Sequence, residues 1–127
     1  MTDFKRGLLV ALMLVSGSLQ AKEMPFGADD AQLLQQSCRE VLEIFERKNQ
    51  AASYAAVHTS LAEAMRAGYC IGVVVQYSQQ SHDCYSSRYV RSSWFEMAKA
   101  IANESIGEMA LKRTDVSALL QRAYCYD

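Results

Sequence analysis

Ala67-Gly68-Tyr69-Cys70-Ile71-Gly72-Val73-Val74-Val75-Gln76-Tyr77 is a long apolar run that holds the second of four cysteines. Its three consecutive valines favour a buried strand. The residues before it, Ala62-Glu63-Ala64-Met65-Arg66, are strong helix formers with no break. Leu61, Met65, Gly68, Gly72 and Val75 recur at spacings of three and four, the period of a helix face. One long central helix is therefore expected, with the valines at its buried end. Gly68 and Gly72 stack on one face, and each costs about 1 kcal/mol of helix propensity relative to alanine. Close approach of another helix is the expected reason for accepting that cost. The plainer alternative is a locally weak helix with no special packing.

Working outward, the apolar period recurs on both sides. Asp29 or Asp30 is suited to cap a first helix running to about Arg47. Leu34, Cys38, Val41, Leu42 and Phe45 form its apolar face, and Arg39, Glu40, Glu43 and Glu46 its wet one. The central helix begins between Ala51 and Ser60 and adds Tyr54 and Val57 to its stripe. Ser78 to Ser87 is polar and reads as a loop. Ser86 or Ser87 is expected to cap a third helix bearing Val90, Trp94, Met97, Ala98 and Ile101. Asn103 to Gly107 ends it, and Glu108 to Arg113 suits one further helical turn. Thr114 or Asp115 caps a last helix that turns Val116, Leu119, Leu120 and Ala123 inward. The expected fold is all-α, a compact bundle of about four main helices in one domain, residues 22–127.

The first 21 residues read differently. Lys5 and Arg6 precede the short apolar run Gly7 to Val15, and small residues follow up to Ala21. That is the pattern of a secretory signal peptide, too short for a spanning helix. Lys22 to Gly27, with the only proline, Pro25, reads as a lead-in. Cleavage after Ala21 leaves 11 basic and 13 acidic side chains (13 − 2 and 14 − 1), a net charge of −2. That balance offers no footprint for nucleic acid, and no stable membrane insertion is expected once the leader is removed.

Cys38, Cys70, Cys84 and Cys125 all lie beyond the leader. An even count in a small exported chain implies two disulfides and an oxidising compartment. With this leader, a bacterial periplasm is the expected location. In an antiparallel helical hairpin, Cys38 and Cys70 lie at comparable distances from the turn near residues 50–53, and so side by side. If the third and last helices are antiparallel, Cys84 at the start of one meets Cys125 at the end of the other. Cys38–Cys70 with Cys84–Cys125 is therefore preferred. The rival pairing, Cys70–Cys84 with Cys38–Cys125, would pin the loop back onto the central helix.

No metal-binding, phosphate-binding or nucleophile motif is present, and no cofactor is expected. His82-Asp83-Cys84 sets a base beside a thiol, but a disulfide at Cys84 is the better reading. His58 reads as a helix-surface histidine. One local bias stands out: Tyr77, Tyr85, Tyr89, Trp94 and Phe95 are interleaved with His82, Asp83, Arg88 and Arg91. Tyrosine, tryptophan and arginine are enriched at binding hot spots. Tyr77, His82, Asp83, Tyr85, Arg88, Tyr89 and Arg91 are the candidate partner-binding residues, with Trp94 the best suited to plain core.

The leader, a cysteine in the first helix, Gly68-Tyr69-Cys70-Ile71-Gly72-Val73, the loop cysteine Cys84 and the terminal Ala123-Tyr124-Cys125 together resemble the Rap/Tai immunity family. The resemblance spans roughly Leu34 to Cys125. Where that pattern often has proline after the loop cysteine and before the terminal one, this chain has Tyr85-Ser86 and Tyr124. The resemblance implies a small periplasmic helical protein, often dimeric. It would bind and block a peptidoglycan-cleaving amidase toxin delivered by a type VI secretion system. It also implies a non-enzymatic role. A periplasmic stress chaperone, or an accessory protein of an envelope machine, is the alternative. A homodimer is a further expectation, because the apolar face of the central helix suits a subunit contact.

Overall fold

Each of the four main helices starts where a short polar side chain meets the first free backbone N–H groups. The structure is a computed structural model, and it describes residues 29–51, 53–80 and 82–127. The expected signal peptide and the expected lead-in, Lys22 to Gly27, lie outside the described residues. Asp30 accepts from the Leu33 N–H (2.9 Å) and opens α1, Ala31–Lys48. A short α2, Tyr54–His58, follows, and then α3, Leu61–Ser78. Ser93 caps α4, Trp94–Ala102. A single turn, α5, spans Glu108–Leu111. Asp115 accepts from the Ala118 N–H (2.6 Å) and opens α6, Val116–Tyr124. The two strands, β1 at Tyr89–Val90 and β2 at Cys125–Tyr126, pair antiparallel, Tyr89 opposite Tyr126 and Val90 opposite Cys125. The fold is all-α, with α1, α3, α4 and α6 as its main helices. No helix among the described residues is long and apolar enough to cross a membrane.

α1 is the centre of the packing, with α3 and α4 against it and α6 against α4. Leu34, Cys38 and Val41 of α1 are fully buried with Cys70 and Val74 of α3, Met97, Ala98 and Ile101 of α4, and Leu119 of α6 at 1 %. Phe45 packs edge-on against Trp94 (5.6 Å between centroids) and tilted against Phe95 (5.3 Å), closing one end of this core. Gln35 and Arg39 donate to carbonyls at and just beyond the C-terminus of α4. Gln35 Nε2 donates to the Ile101 and Glu104 carbonyls (3.2 and 2.9 Å), and Arg39 Nε donates to that of Ala102 (3.1 Å). The core bridge Cys38–Cys70 links α1 to α3 with a Cα–Cα distance of 5.2 Å, and Cys84–Cys125 links the loop after α3 to β2 at 5.7 Å. Both are the pairings preferred from the sequence, but Cys84 lies in the loop and Cys125 in β2, not at the facing ends of two helices.

Four expectations are corrected. The central helix is not continuous through Tyr54. Thr59 is extended (φ −110°, ψ 118°), and a complete capping box restarts the helix. Ser60 Oγ accepts from the Glu63 N–H (3.2 Å), and the Glu63 carboxylate accepts from the Ser60 N–H (2.7 Å). That backbone donor, with the Ser60 hydroxyl and Arg47, holds the Glu63 carboxyl below its ordinary value. Next, α4 starts at Trp94 and not near Ser87, because Tyr89 and Val90 are taken by the ribbon with β2. Glu40 is not on a wet face. It is 8 % exposed and receives Arg66 Nε at 2.9 and 2.8 Å.

The fourth correction concerns the face of α3. Leu61 is 78 % and Met65 51 % exposed, Gly68 and Gly72 are also exposed, and Ala67, Cys70 and Val74 turn inward instead. At 3.6 residues per turn, Gly68 and Gly72 each lie about 160° round the helix from Cys70. The bridge to Cys38 turns Cys70 inward, so the glycine stripe turns outward. A Cβ added at either glycine would have no atom within 4 Å. The glycines thus serve no close packing within the chain. Gly68→Ala and Gly72→Ala are each expected to stabilise by about 0.5–1 kcal/mol through helix propensity. Urea midpoints of the single and double variants check this, and a lower midpoint would show that the glycines are needed.

Candidate functional site

The loop after α3, the ribbon and the C-terminus meet at one end of the bundle. Tyr77, near the end of α3, stacks on His82 with the rings 3.6 Å apart and 6° from parallel. The His82 Nε2–H donates to the Tyr77 carbonyl (2.9 Å), folding the loop back onto the helix that precedes it. Tyr124 meets both rings edge-on, at 5.7 Å from Tyr77 and 5.6 Å from His82. Burial pushes the Tyr77 phenol above its ordinary value, with Tyr124 adding to the shift. Tyr77 and His82 therefore form the base of the site and not its contact surface.

Arg91 also works from beneath. Its Nη1 donates to the Ala123 carbonyl (2.6 Å), its backbone N–H donates to the Tyr124 carbonyl (2.8 Å), and its guanidinium lies 4.4 Å from the Tyr126 ring centre. The cation thus holds the end of α6 and the face of Tyr126 together. Cys84–Cys125 adds a covalent link beside it.

The residues that reach solvent lie above this base. Tyr85 is 90 % exposed, and its hydroxyl points to the Asp83 carboxylate at 3.4 Å. Tyr89 is 57 % exposed and Arg88 is exposed beside it. The ring of Tyr89 meets that of Tyr126 at 5.7 Å. A surface cavity of about 460 Å³ opens next to them, lined by the bridge, Tyr85, Ser86, Ser87, Gln121 and Arg122 among others. Of the seven expected residues, Asp83, Tyr85, Arg88 and Tyr89 make the exposed surface. Tyr77, His82 and Arg91 hold it.

Tyr126 and Val90, 40 % and 48 % exposed, belong to the same surface. Sequence reasoning passed over both. Their signal was present, because any bridge between Cys84 and Cys125 brings the residues flanking each cysteine together. His58 lies elsewhere, stacked on Tyr54 at 3.8 Å. Among the described residues, no group of three or more His, Cys, Asp or Glu is placed to hold a metal.

Comparison of the chain with known protein families, curated proteins and solved structures gives no match. The site must therefore be read from its own chemistry. It is a bridged, partly aromatic surface with exposed arginines at Arg88 and Arg122, suited to contact with another protein. The two disulfides are those of an oxidising, extracytoplasmic compartment.

A second open surface lies on α3. Ile44, Ala55, Leu61, Ala64, Gly68 and Ile71 border an open apolar groove there. This is the same outward stripe that the bridge at Cys70 turns away from the core.

Proposed function

We propose that the chain is a periplasmic immunity protein that binds and occludes a peptidoglycan-amidase toxin of a type VI secretion system. The observation that carries this reading is the exposed tyrosine–arginine surface held by a covalent bridge on a helical scaffold. A surface ordered before it meets its partner loses less conformational freedom on binding. The leader, and the resemblance of the Gly68–Val73 segment and the four cysteines to the Rap/Tai family, support the same reading. The protein acts sterically and performs no chemistry of its own. Tyr85 and Arg88 enter the groove of the amidase, and Tyr89 and Tyr126 flank the contact. The homodimer uses the open face of α3, away from this surface.

A pull-down from periplasmic extract tests the assignment, with the mature oxidised chain and its Tyr85→Ala, Arg88→Ala double variant as parallel baits. The wild-type bait retains one cell-wall hydrolase. The variant loses at least roughly tenfold of it, as expected when two central anchors are truncated. The variant's thermal midpoint stays that of the wild type, because Tyr85 and Arg88 contribute no core contact. Equal retention by both baits would remove these residues from the interface.

A further inference from the structure

The two disulfides differ in the property that governs thiol–disulfide exchange, which is access of an attacking thiolate to a sulfur. Cys38 and Cys70 are both fully buried, in the core with Leu34, Val41 and Val74. A reductant reaches that bridge only if α1 and α3 separate. Cys84 and Cys125 are half-buried and form part of the wall of the 460 Å³ surface cavity. Arg122 lines the same cavity. Its side chain is 56 % exposed, and its guanidinium is only loosely engaged with Glu104, at 3.9 Å. A cation beside a disulfide favours both the incoming and the leaving thiolate.

The consequence of opening each bridge also differs. Asp83 to Arg88 carries neither helix nor strand. Among the described residues, it is tied by the Tyr85–Asp83 contact and by the bridge itself. Its flanks are held by the His82–Tyr77 stack on one side and the two-residue ribbon on the other. Without the bridge, the segment bearing Tyr85 and Arg88 loses its one covalent tie to the C-terminus. The helices keep their core contacts and Cys38–Cys70.

We infer that Cys84–Cys125 is a thiol–disulfide exchange site, opened selectively by a dithiol reductant, and that its opening releases the exposed loop while the helical core persists. One thiolate of the dithiol attacks either sulfur, forming a mixed disulfide and expelling the other cysteine as thiolate. The second thiol of the reductant then displaces the first cysteine. The protein gains two thiols, and the dithiol leaves as its own disulfide. This inference concerns the chain alone and stands whether or not the amidase is its partner.

The test uses the mature oxidised chain, dithiothreitol as the dithiol, and quenching with iodoacetamide followed by peptide mapping. Label is expected at Cys84 and Cys125 at least roughly tenfold faster than at Cys38 and Cys70, in line with their access. After removal of reagents, the partly labelled protein keeps its helical circular dichroism, and trypsin cuts after Arg88 several-fold faster than in the oxidised chain. The Cys84→Ser, Cys125→Ser double variant should show the same cleavage without any reductant. Labelling of all four cysteines together, or of Cys38 and Cys70 first, overturns the inference. So does cleavage after Arg88 that stays at the oxidised rate once the bridge is open.

Discussion

Replacing Cys38 and Cys70 together by alanine is expected to lower stability by about 3–4 kcal/mol. A bridge spanning 32 residues of sequence removes about that much loop-closure freedom from the denatured chain. For a domain of this size, the thermal midpoint should fall by roughly 15–25 °C. The loss includes packing as well as chain freedom. Both sulfurs lie in the fully buried layer with Leu34, Val41 and Val74, so alanine leaves unfilled space there. Cys84–Cys125 spans 41 residues, and its removal relaxes the denatured chain comparably, but it leaves no void in that layer. The Cys38/Cys70 variant should therefore be the less stable of the two bridge-less proteins. Calorimetry of both variants checks the order, and the reverse order would show that the loop bridge carries the fold.

Arg66→Ala is expected to cost about 2–3 kcal/mol. Glu40 is 8 % exposed, and three contacts of 2.8–2.9 Å from Arg66 neutralise it. Removing the guanidinium leaves a carboxylate in a dry position, where an unpaired charge costs several kcal/mol. The Arg66 side chain is 27 % exposed, so water reaches the pair and moderates the loss. Glu40→Leu combined with Arg66→Met removes both charges at once and should recover most of that stability. Urea unfolding of the single and double variants gives the comparison. A double variant as unstable as Arg66→Ala would mean that the packing of the side-chain stems, not the charge, is what matters.

The same pair shows where the sequence was legible and where it was not. The apolar face of α1 was plain, because Leu34, Cys38 and Val41 alternate with charged residues and only one face is dry. Glu40 looked like the others on the wet face, since its partner is 26 positions away on another helix. α3 was harder, because it is apolar nearly all round. Leu61, Met65, Gly68 and Gly72 satisfy a helical period as well as Ala67, Cys70 and Val74 do. Only the bridge to Cys38 chooses between the two stripes, so the cysteine pairing held the better information on which face is buried. Two helix starts were also readable and were passed over. Ser60 and Glu63, like Ser93 and Glu96, have the spacing of a capping box, and the structure starts a helix at each.

The candidate site divides along similar lines. Exposed loop residues such as Tyr85 and Arg88 could be found from composition, because a polar loop has no core to absorb them. Tyr77 and His82 share that composition but stack on each other, and Arg91 spends its hydrogen bonds on the end of α6. No local pattern separates a tyrosine that supports a surface from one that forms it. The two-residue ribbon was invisible for another reason: its partners lie at opposite ends of the last third of the chain, and each strand is too short to show a period.

Peptidoglycan hydrolysis reads out whether this surface blocks a cell-wall amidase. An amidase encoded beside this chain's gene is assayed alone, with the mature oxidised chain at equimolar concentration, and with its Tyr85→Ala, Arg88→Ala variant. Hydrolysis that stops with the wild-type chain and returns with the variant is the result expected here. Undiminished hydrolysis by every such amidase in the presence of the wild-type chain would contradict it.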